Sequence, residues 1–525
     1  MARVLVTEKI AQRGLDLLAH AGHEVDVREG LSPDELLEVV PGAHALIIRS
    51  STQVNAAVLE AAADLVVVGR AGVGLDNVEV PVATERGVMV VNAPTSNILS
   101  VAEQAMGLLL AQARNIPQAH AALVAGRWER SKWEGVELHG KVLGVVGLGR
   151  AGSLVAQRAL AFGMRLLAFD PYISADRARA MGVELRSIEE LFAESDFISI
   201  HTPKTPETAG LVGRDLLAKA KPGIRIINTA RGGIVDEEAL AEAIRDGIVG
   251  GAGLDVFAKE PPGESPLFGL PEVVVTPHLG ASTEEAQDKA GVTIAEQVLL
   301  ALAGDFVPYA VNVAATDVSE AVRPFMPLAE QLGRFFAGLH EGLPDRLEIE
   351  YRGDLAGVST GILTLSILKG LFASTTEEPV SYVNAPQLAE QRGLHVQETS
   401  TATSPNYKSL VTVRSGTHAV AGTLTGAGAR VEPRVVMVDD YAVEVPPTPH
   451  MLVVRNDDRP GMIGVVGVVL GDAGISISSM AVGPSEEPGK GSALMVLATG
   501  EPAPDDALAR LRGDAGILDL HRISL

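Results

Sequence analysis

Between Ala2 and about Phe257, short apolar runs rich in β-branched residues alternate with stretches of helical periodicity. The runs read RVLVTE, ALIIRS, LVVVGR, VMVVNA, KVLGVVGLG, RLLAFD, FISIHTP, IRIINTA and GLDVF, and VVVTPHLG follows them. Continuous apolar strands separated by helices imply parallel sheets covered on both faces, since such strands offer no side to water. The pattern predicts an α/β chain with two doubly wound lobes. Caps mark helix starts at Ser32-Pro33 with Glu35, and at Ser282 with Glu285. The segments from Asn97 to about Arg127 and from Thr283 to Gly304 are the expected helical connections between the lobes.

After about Val313 the pattern becomes mixed α+β. The stretch VTVRSGTHAVAGTLTG reads as a hairpin, and VPPTPH reads as a linker because proline fixes φ and withholds a donor. Beyond it the order is strand HMLVVRN, turn DDRPG, helix MIGVVGVVLGDAG, strand ISISSMAVG, turn PSEEPGKG, strand SALMVLATG, helix PDDALARLRGDAG and strand ILDLHRISL. That is βαββαβ, a ferredoxin-like module.

Length and charge narrow the functional classes. A chain of 525 residues exceeds one core and implies about three or four domains. The formal net charge of −23 argues against nucleic acid or an anionic membrane as a partner, so an anionic ligand must be met by a few local cations. With no cysteine there are no disulfides, thiolate metal sites or cysteine nucleophiles, and no metal is called for. The start MARVLVTEKI reads as a strand rather than a targeting segment, and no apolar run approaches bilayer length. The expectation is a cytoplasmic protein.

Two constellations carry chemistry. In KVLGVVGLGRAG, Gly147, Gly149 and Gly152 follow an apolar strand and open a helix. The first glycine permits the tight turn, the second lets backbone approach a pyrophosphate, and the third lets helix meet strand. Asp170 ends the next strand at the distance of a carboxylate that accepts ribose hydroxyls, which favours NAD over its 2′-phosphorylated form. Further on, Arg231, Glu260 and His278 sit at successive strand ends, where open α/β sheets bind ligands. Histidine suits proton exchange with a hydroxyl near neutral pH, a carboxylate can orient its ring, and arginine can hold a substrate carboxylate in a bidentate fork.

The motifs VVGLGRAG, NTARGGIVDEEAL, LDVFAKEPP and VVVTPHLGAST together resemble those of the D-isomer-specific 2-hydroxyacid dehydrogenases. The resemblance implies that Arg231 binds the substrate carboxylate, Glu260 supports the imidazole and His278 is the acid–base. It also implies a substrate-binding domain made of residues 1–97 and 285–313, enclosing an NAD-binding domain of residues 98–284. Arg150, Ala151, Thr202, Pro203, Ala230, Asp255 and Gly280 are the further cofactor contacts it implies. Substrate contacts would come from Arg49, Ser50, Arg70, Val73, Gly74 and Asn97. Arg49 and Arg70 supply the positive charge that a phosphorylated 2-hydroxy acid needs. Trp128 and Arg130 match residues that reach the neighbouring subunit's site, so a homodimer or homotetramer is expected.

The terminal module, residues 450–525, resembles an ACT domain, and DDRPG matches the ligand loop of that fold. Asp458 and Ser476 are the implied effector contacts, with L-serine as the implied ligand, although Ser476 stands where relatives carry asparagine. Residues 314–447 resemble an allosteric substrate-binding domain, for which Arg352, Lys369 and Lys408 are the available cations. Two other readings compete with a dehydrogenase acting on a phosphorylated acid. One is a glyoxylate or hydroxypyruvate reductase, which usually lacks both appended domains. The other is an NAD-sensing binding module on the same scaffold.

Overall fold

The computed structural model describes residues 1–314, 318–340, 342–376, 380–427, 430–484 and 491–525. The expected turn PSEEPGKG falls mostly on residues 485–490, outside the described residues.

The first lobe is built on five strands, β1 (Arg3–Val6), β2 (Glu24–Val27), β3 (Ala45–Ile48), β4 (Val67–Arg70) and β5 (Met89–Val91), all parallel in the order β2-β1-β3-β4-β5. The second has seven, β6 (Val142–Val146), β7 (Arg165–Phe169), β8 (Val183–Leu185), β9 (Phe197–Ile200), β10 (Ile224–Asn228), β11 (Val249–Leu254) and β12 (Val273–Val275). They are also parallel, in the order β12-β11-β10-β9-β6-β7-β8. All four residues of β3 and of β9 are buried, as continuous apolar runs require. Each order reverses beside its first strand, which leaves a crevice at the carboxyl ends.

Chain order and lobe membership part company at two helices. Helix Ile98–Arg114 packs on the second sheet, against β10 and β11. Helix Glu284–Ala303 returns to the first lobe, where Ile294 and Val298 lie over Gly69 of β4.

Two sequence expectations are corrected here. The segment from Asn97 to Arg127 holds two helices, Ile98–Arg114 and Ile116–Val124. Asn115 between them adopts a left-handed φ of 51°, and Pro117 removes a donor from the next turn, so the hydrogen-bond ladder breaks. The later helix is capped by Thr283 rather than Ser282: the Thr283 hydroxyl accepts the Ala286 N–H at 3.2 Å, while the Ser282 N–H is already bonded to the Leu279 carbonyl at 2.8 Å. At Ser32, by contrast, the expected capping box forms with Glu35.

A third sheet follows, from β13 (Arg346–Gly353), β14 (His395–Thr401), β15 (Ser409–Ser415), β16 (His418–Ala427), β17 (Arg430–Val438) and β18 (Tyr441–Val445), in the order β14-β13-β15-β16-β17-β18. The β15–β16 hairpin is the one read from the sequence. The fourth sheet is antiparallel, β20 (Ile477–Pro484), β21 (Ala493–Thr499), β19 (His450–Asn456) and β22 (Ile517–Ser524) in that spatial order. Helices Met462–Asp472 and Asp505–Arg512 complete its βαββαβ order.

A single apolar cluster links three of these units. It runs from Val6, Ile294 and Val298 of the first lobe through Phe335, Phe336 and Ile367 to Val453, Val496 and Ile523 of the terminal sheet. The terminal module's own helices bury the opposite face through Met462, Val466, Leu508 and Leu511. All seven residues of β21 are buried in consequence.

Candidate active site

The cofactor crevice begins where β6 ends. Gly147 has a φ of 90°, and a side chain there would meet the His201 carbonyl at 2.9 Å. Gly149 caps helix Arg150–Ala161 and has open space where a side chain would stand, so a ligand can come up to its backbone. Gly152 packs the helix onto the turn: a β-carbon would lie 2.0 Å from the Gly147 carbonyl oxygen. Asp170, just beyond β7, is oriented by the N–H groups of Leu148 (2.8 Å) and Tyr172 (2.9 Å). Its carboxylate is thus fixed beside the glycine turn.

A cavity of about 380 Å³ continues from this turn, with Ala151, Thr202, Pro203, Ala230, Val73, Gly74, Asn97 and Arg231 among its lining residues. Inside it, the Oγ1 atoms of Thr202 and Thr229 are buried with no hydrogen-bond partner among the described residues. Buried, unbonded hydroxyls beside an open glycine backbone fit a polar dinucleotide. His201, not singled out from the sequence, lines the same cavity. Its Nε2 is 2.8 Å from the Ser199 hydroxyl, and burial pushes its pKa down to about 4, so the ring is neutral.

His278 follows β12 by three residues and has a φ of 54°. Its N–H donates to the Asp255 carbonyl at 2.9 Å, and its Nδ1 lies 2.6 Å from Glu260 Oε2. The other Glu260 oxygen accepts the Phe257 N–H at 3.0 Å. Burial raises the Glu260 pKa, but the hydrogen bonds from His278 and Phe257 and the charges of His278 and Arg231 outweigh it, leaving the carboxyl below its ordinary range.

Asp255 and Gly280, both expected to meet the cofactor, bond each other. Asp255 is fully buried, and its carboxylate accepts the N–H groups of Leu279 and Gly280, each at 2.7 Å, and the Thr276 hydroxyl at 2.5 Å. Asp255 therefore holds the Thr276 side chain before His278 and the backbone after it. Thr276, inside the VVVTPHLGAST motif but not singled out there, and Gln104, outside every motif, complete this bonding.

Arg231, in the turn after β10, stands 3.4 Å from Asp76 through Nε and donates from Nη1 to the Ala230 carbonyl at 2.7 Å. Arg49 and Ser50 follow β3, and Arg70 ends β4. Burial, together with the neighbouring charge of Arg231, lowers the Arg70 pKa to about 10. Arg49, Ser50, Arg70, Glu260 and His278 line one cleft of about 930 Å³ between the lobes, with Phe257 and Phe268 in its apolar wall. Asn97 lines both this cleft and the cofactor cavity, so residues 231, 260 and 278 open onto adjoining spaces.

Other named residues lie elsewhere. Trp128 is 78% exposed, and neither it nor Arg130 lines either space within its own chain. Asp458 has a φ of 54° in the turn after β19, and Ser476 is exposed just before β20. Two of the three cations offered for an anionic effector are already engaged. Lys369 pairs with Glu330 at 2.9 Å and lies over the Tyr382 ring, and Arg352 pairs with Glu350 at 2.8 Å; Lys408 is exposed.

Comparison with known proteins agrees with this geometry. Residues 106–280 match the D-isomer specific 2-hydroxyacid dehydrogenase NAD binding domain. Residues 321–439 match the D-3-phosphoglycerate dehydrogenase intervening domain, and 450–516 match the ACT domain. The chain is 47% identical over 527 residues to a D-3-phosphoglycerate dehydrogenase of Mycobacterium bovis, covering 99% of this chain and 98% of that one. It is 50% identical over 500 residues to the Mycobacterium leprae protein of the same name, covering 94% of each. The chain belongs to the D-3-phosphoglycerate dehydrogenase family. Among solved structures, an NAD-dependent formate dehydrogenase from Staphylococcus aureus in complex with NAD is 31% identical, with a TM-score of 0.52, and covers 57% of this chain and 95% of that one. NAD is the cofactor of this family's second lobe, and the glycine turn and Asp170 suit it.

Proposed function

We propose that this chain oxidises D-3-phosphoglycerate to 3-phosphohydroxypyruvate with NAD, the first step of L-serine biosynthesis. The observation that carries the reading is one cleft in which Arg49 and Arg70 stand with the Glu260–His278 pair. NAD supplies the hydride acceptor when bound. Arg231, beside the Val73–Gly74 backbone, holds the substrate carboxylate. Arg49, Ser50 and Arg70 hold the phosphate, whose charge a chain of net −23 otherwise repels. As the C2–H bond breaks, His278 Nε2 takes the hydroxyl proton, and Glu260 on Nδ1 stabilises the imidazolium that forms.

In this reading Trp128 and Arg130 complete the site of a second copy in a homodimer or homotetramer. Ile116, Leu123, Val124 and Trp128, close together in the sequence, are exposed apolar side chains that association would cover. The 98–284 lobe binds cofactor, residues 1–97 with 285–313 bind substrate, and residues 314–447 and 450–525 regulate. L-serine is the proposed effector at the Asp458 loop and Ser476. No helix among the described residues is long and apolar enough to cross a membrane, and a cytoplasmic location is proposed with the rest.

The test is NADH formation with D-3-phosphoglycerate, with D-glycerate, and with the His278→Gln variant. Preference for the phosphorylated acid supports the reading. Equal turnover favours a glyoxylate or hydroxypyruvate reductase, and no turnover favours an NAD-sensing binding module.

A further inference from the structure

The loop that carries Arg49 and Ser50 has no regular structure of its own, yet its backbone is bonded on both sides by side chains from elsewhere in the first lobe. Glu8, just past β1, accepts the N–H groups of Arg49 (2.8 Å) and Thr52 (2.9 Å) on Oε1 and of Ser50 (3.2 Å) on Oε2. It takes the Ser51 N–H on both oxygens, at 3.1 and 3.2 Å. Asn77 Nδ2 donates to the carbonyls of Arg49 (3.0 Å) and Thr52 (2.6 Å).

Successive N–H groups converging on one carboxylate make an anion nest, and the ionised form is the one that fits it. Burial raises the Glu8 pKa, but the backbone N–H bonds and the Thr52 hydroxyl outweigh burial and leave it lowered. Asn77 is buried and directly follows Asp76, the partner of Arg231. The loop facing the phosphate end is thereby tied to the segment facing the carboxylate end.

We infer that Glu8 and Asn77 are positioning residues that set Arg49 and Ser50 at a fixed span from Arg231, and so select acids carrying a second anion at that span. Neither touches the reacting atoms. The inference rests on the reading of Arg49, Ser50 and Arg70 as the phosphate site. Glu8→Gln would turn an NH₂ group toward backbone donors on one side of the nest and loosen the loop.

Steady-state kinetics of the full-length Glu8→Gln and Asn77→Ala proteins with D-3-phosphoglycerate and D-glycerate test it. KM for the phosphorylated acid should rise about tenfold, with kcat changed less than about twofold and KM for D-glycerate unmoved. Glu8→Asp, which keeps the carboxylate, should recover most of the loss. An equal rise for both substrates, or no rise, overturns the inference. NAD binding followed by fluorescence reports that the second lobe is folded. If Glu8→Gln does not fold, Asn77→Ala and Asn77→Ser carry the test by the same KM criterion. A wild type that does not distinguish the two acids overturns the phosphate reading itself; a wild type that does, with variants that distinguish them equally well, overturns only the part given to Glu8 and Asn77.

Discussion

His278 Nδ1 and Glu260 Oε2 lie 2.6 Å apart across the end of β12, and the histidine holds a left-handed φ of 54° there. Because Glu260 occupies Nδ1, the nitrogen left for a substrate hydroxyl is Nε2. His278→Gln removes that group and should lower kcat by about 10²–10⁴. NAD affinity should be unchanged, which stopped-flow or fluorescence titration would check. A loss of tenfold or less would mean that another group handles the proton.

Glu260 contributes through its ionised form, and its pKa is depressed by His278, the Phe257 N–H and Arg231. A group depressed on folding contributes stability above its unfolded value, about 4.3 for glutamate, and loses it as pH falls through the folded value. Above about pH 5 the carboxylate is ionised in both the folded and unfolded chain, so its own titration adds no further pH dependence there. Glu260→Gln should flatten the acid side of the stability profile and lower kcat, measured by thermal melts and by a kcat–pH series.

Arg70 is half-buried near Arg231, and partial burial with that neighbouring charge lowers its pKa to about 10, so it remains charged at neutral pH while lacking a full counter-charge. An anionic ligand relieves that repulsion. Arg70→Ala should raise KM for the phosphorylated acid by about tenfold or more while changing kcat less, the mark of uniform binding. A larger fall in kcat than rise in KM would place Arg70 at the reacting end.

Gly152 leaves no room for a side chain, since a β-carbon would sit 2.0 Å from the Gly147 carbonyl. Gly152→Ala should cost about 1–3 kcal/mol through forced separation of helix and turn. NAD affinity should fall with it, and calorimetry would read both effects.

If Trp128 and Arg130 serve a neighbouring copy, two defective chains should complement each other. Mixing His278→Gln with Arg130→Ala gives hetero-oligomers in which the second chain has its own His278 and the first chain's Arg130. Activity should exceed that of either parent several-fold after co-refolding, and no gain would show that Arg130 acts elsewhere.

Motifs were legible where one short segment carries both the turn and the chemistry, as at Gly147 to Gly152 and Pro277 to Gly280. The parallel cores were legible because strands buried on both faces read as unbroken apolar runs. The polar edge strands β2, Glu-Val-Asp-Val, and β8, Val-Glu-Leu, were not, because a half-exposed edge does not produce such a run, whereas the apolar edges β5 and β12 were read. Glu8 was invisible because its partners lie 41 to 44 residues away, and nothing local distinguishes a glutamate that caps a distant loop. Lys369 misled for the same reason: its neutralising partner Glu330 lies on another helix, 39 residues before it.

The unbroken packing from Ile523 through Phe336 to Val298 makes the tail and the substrate lobe mechanically one piece. A molecule seated on the tail would move that piece as a lever against the cofactor lobe. If the tail binds an effector as proposed, the quantity it would tune is the gape between Arg70 and His278, and inhibition would appear as a jammed jaw rather than a damaged tooth.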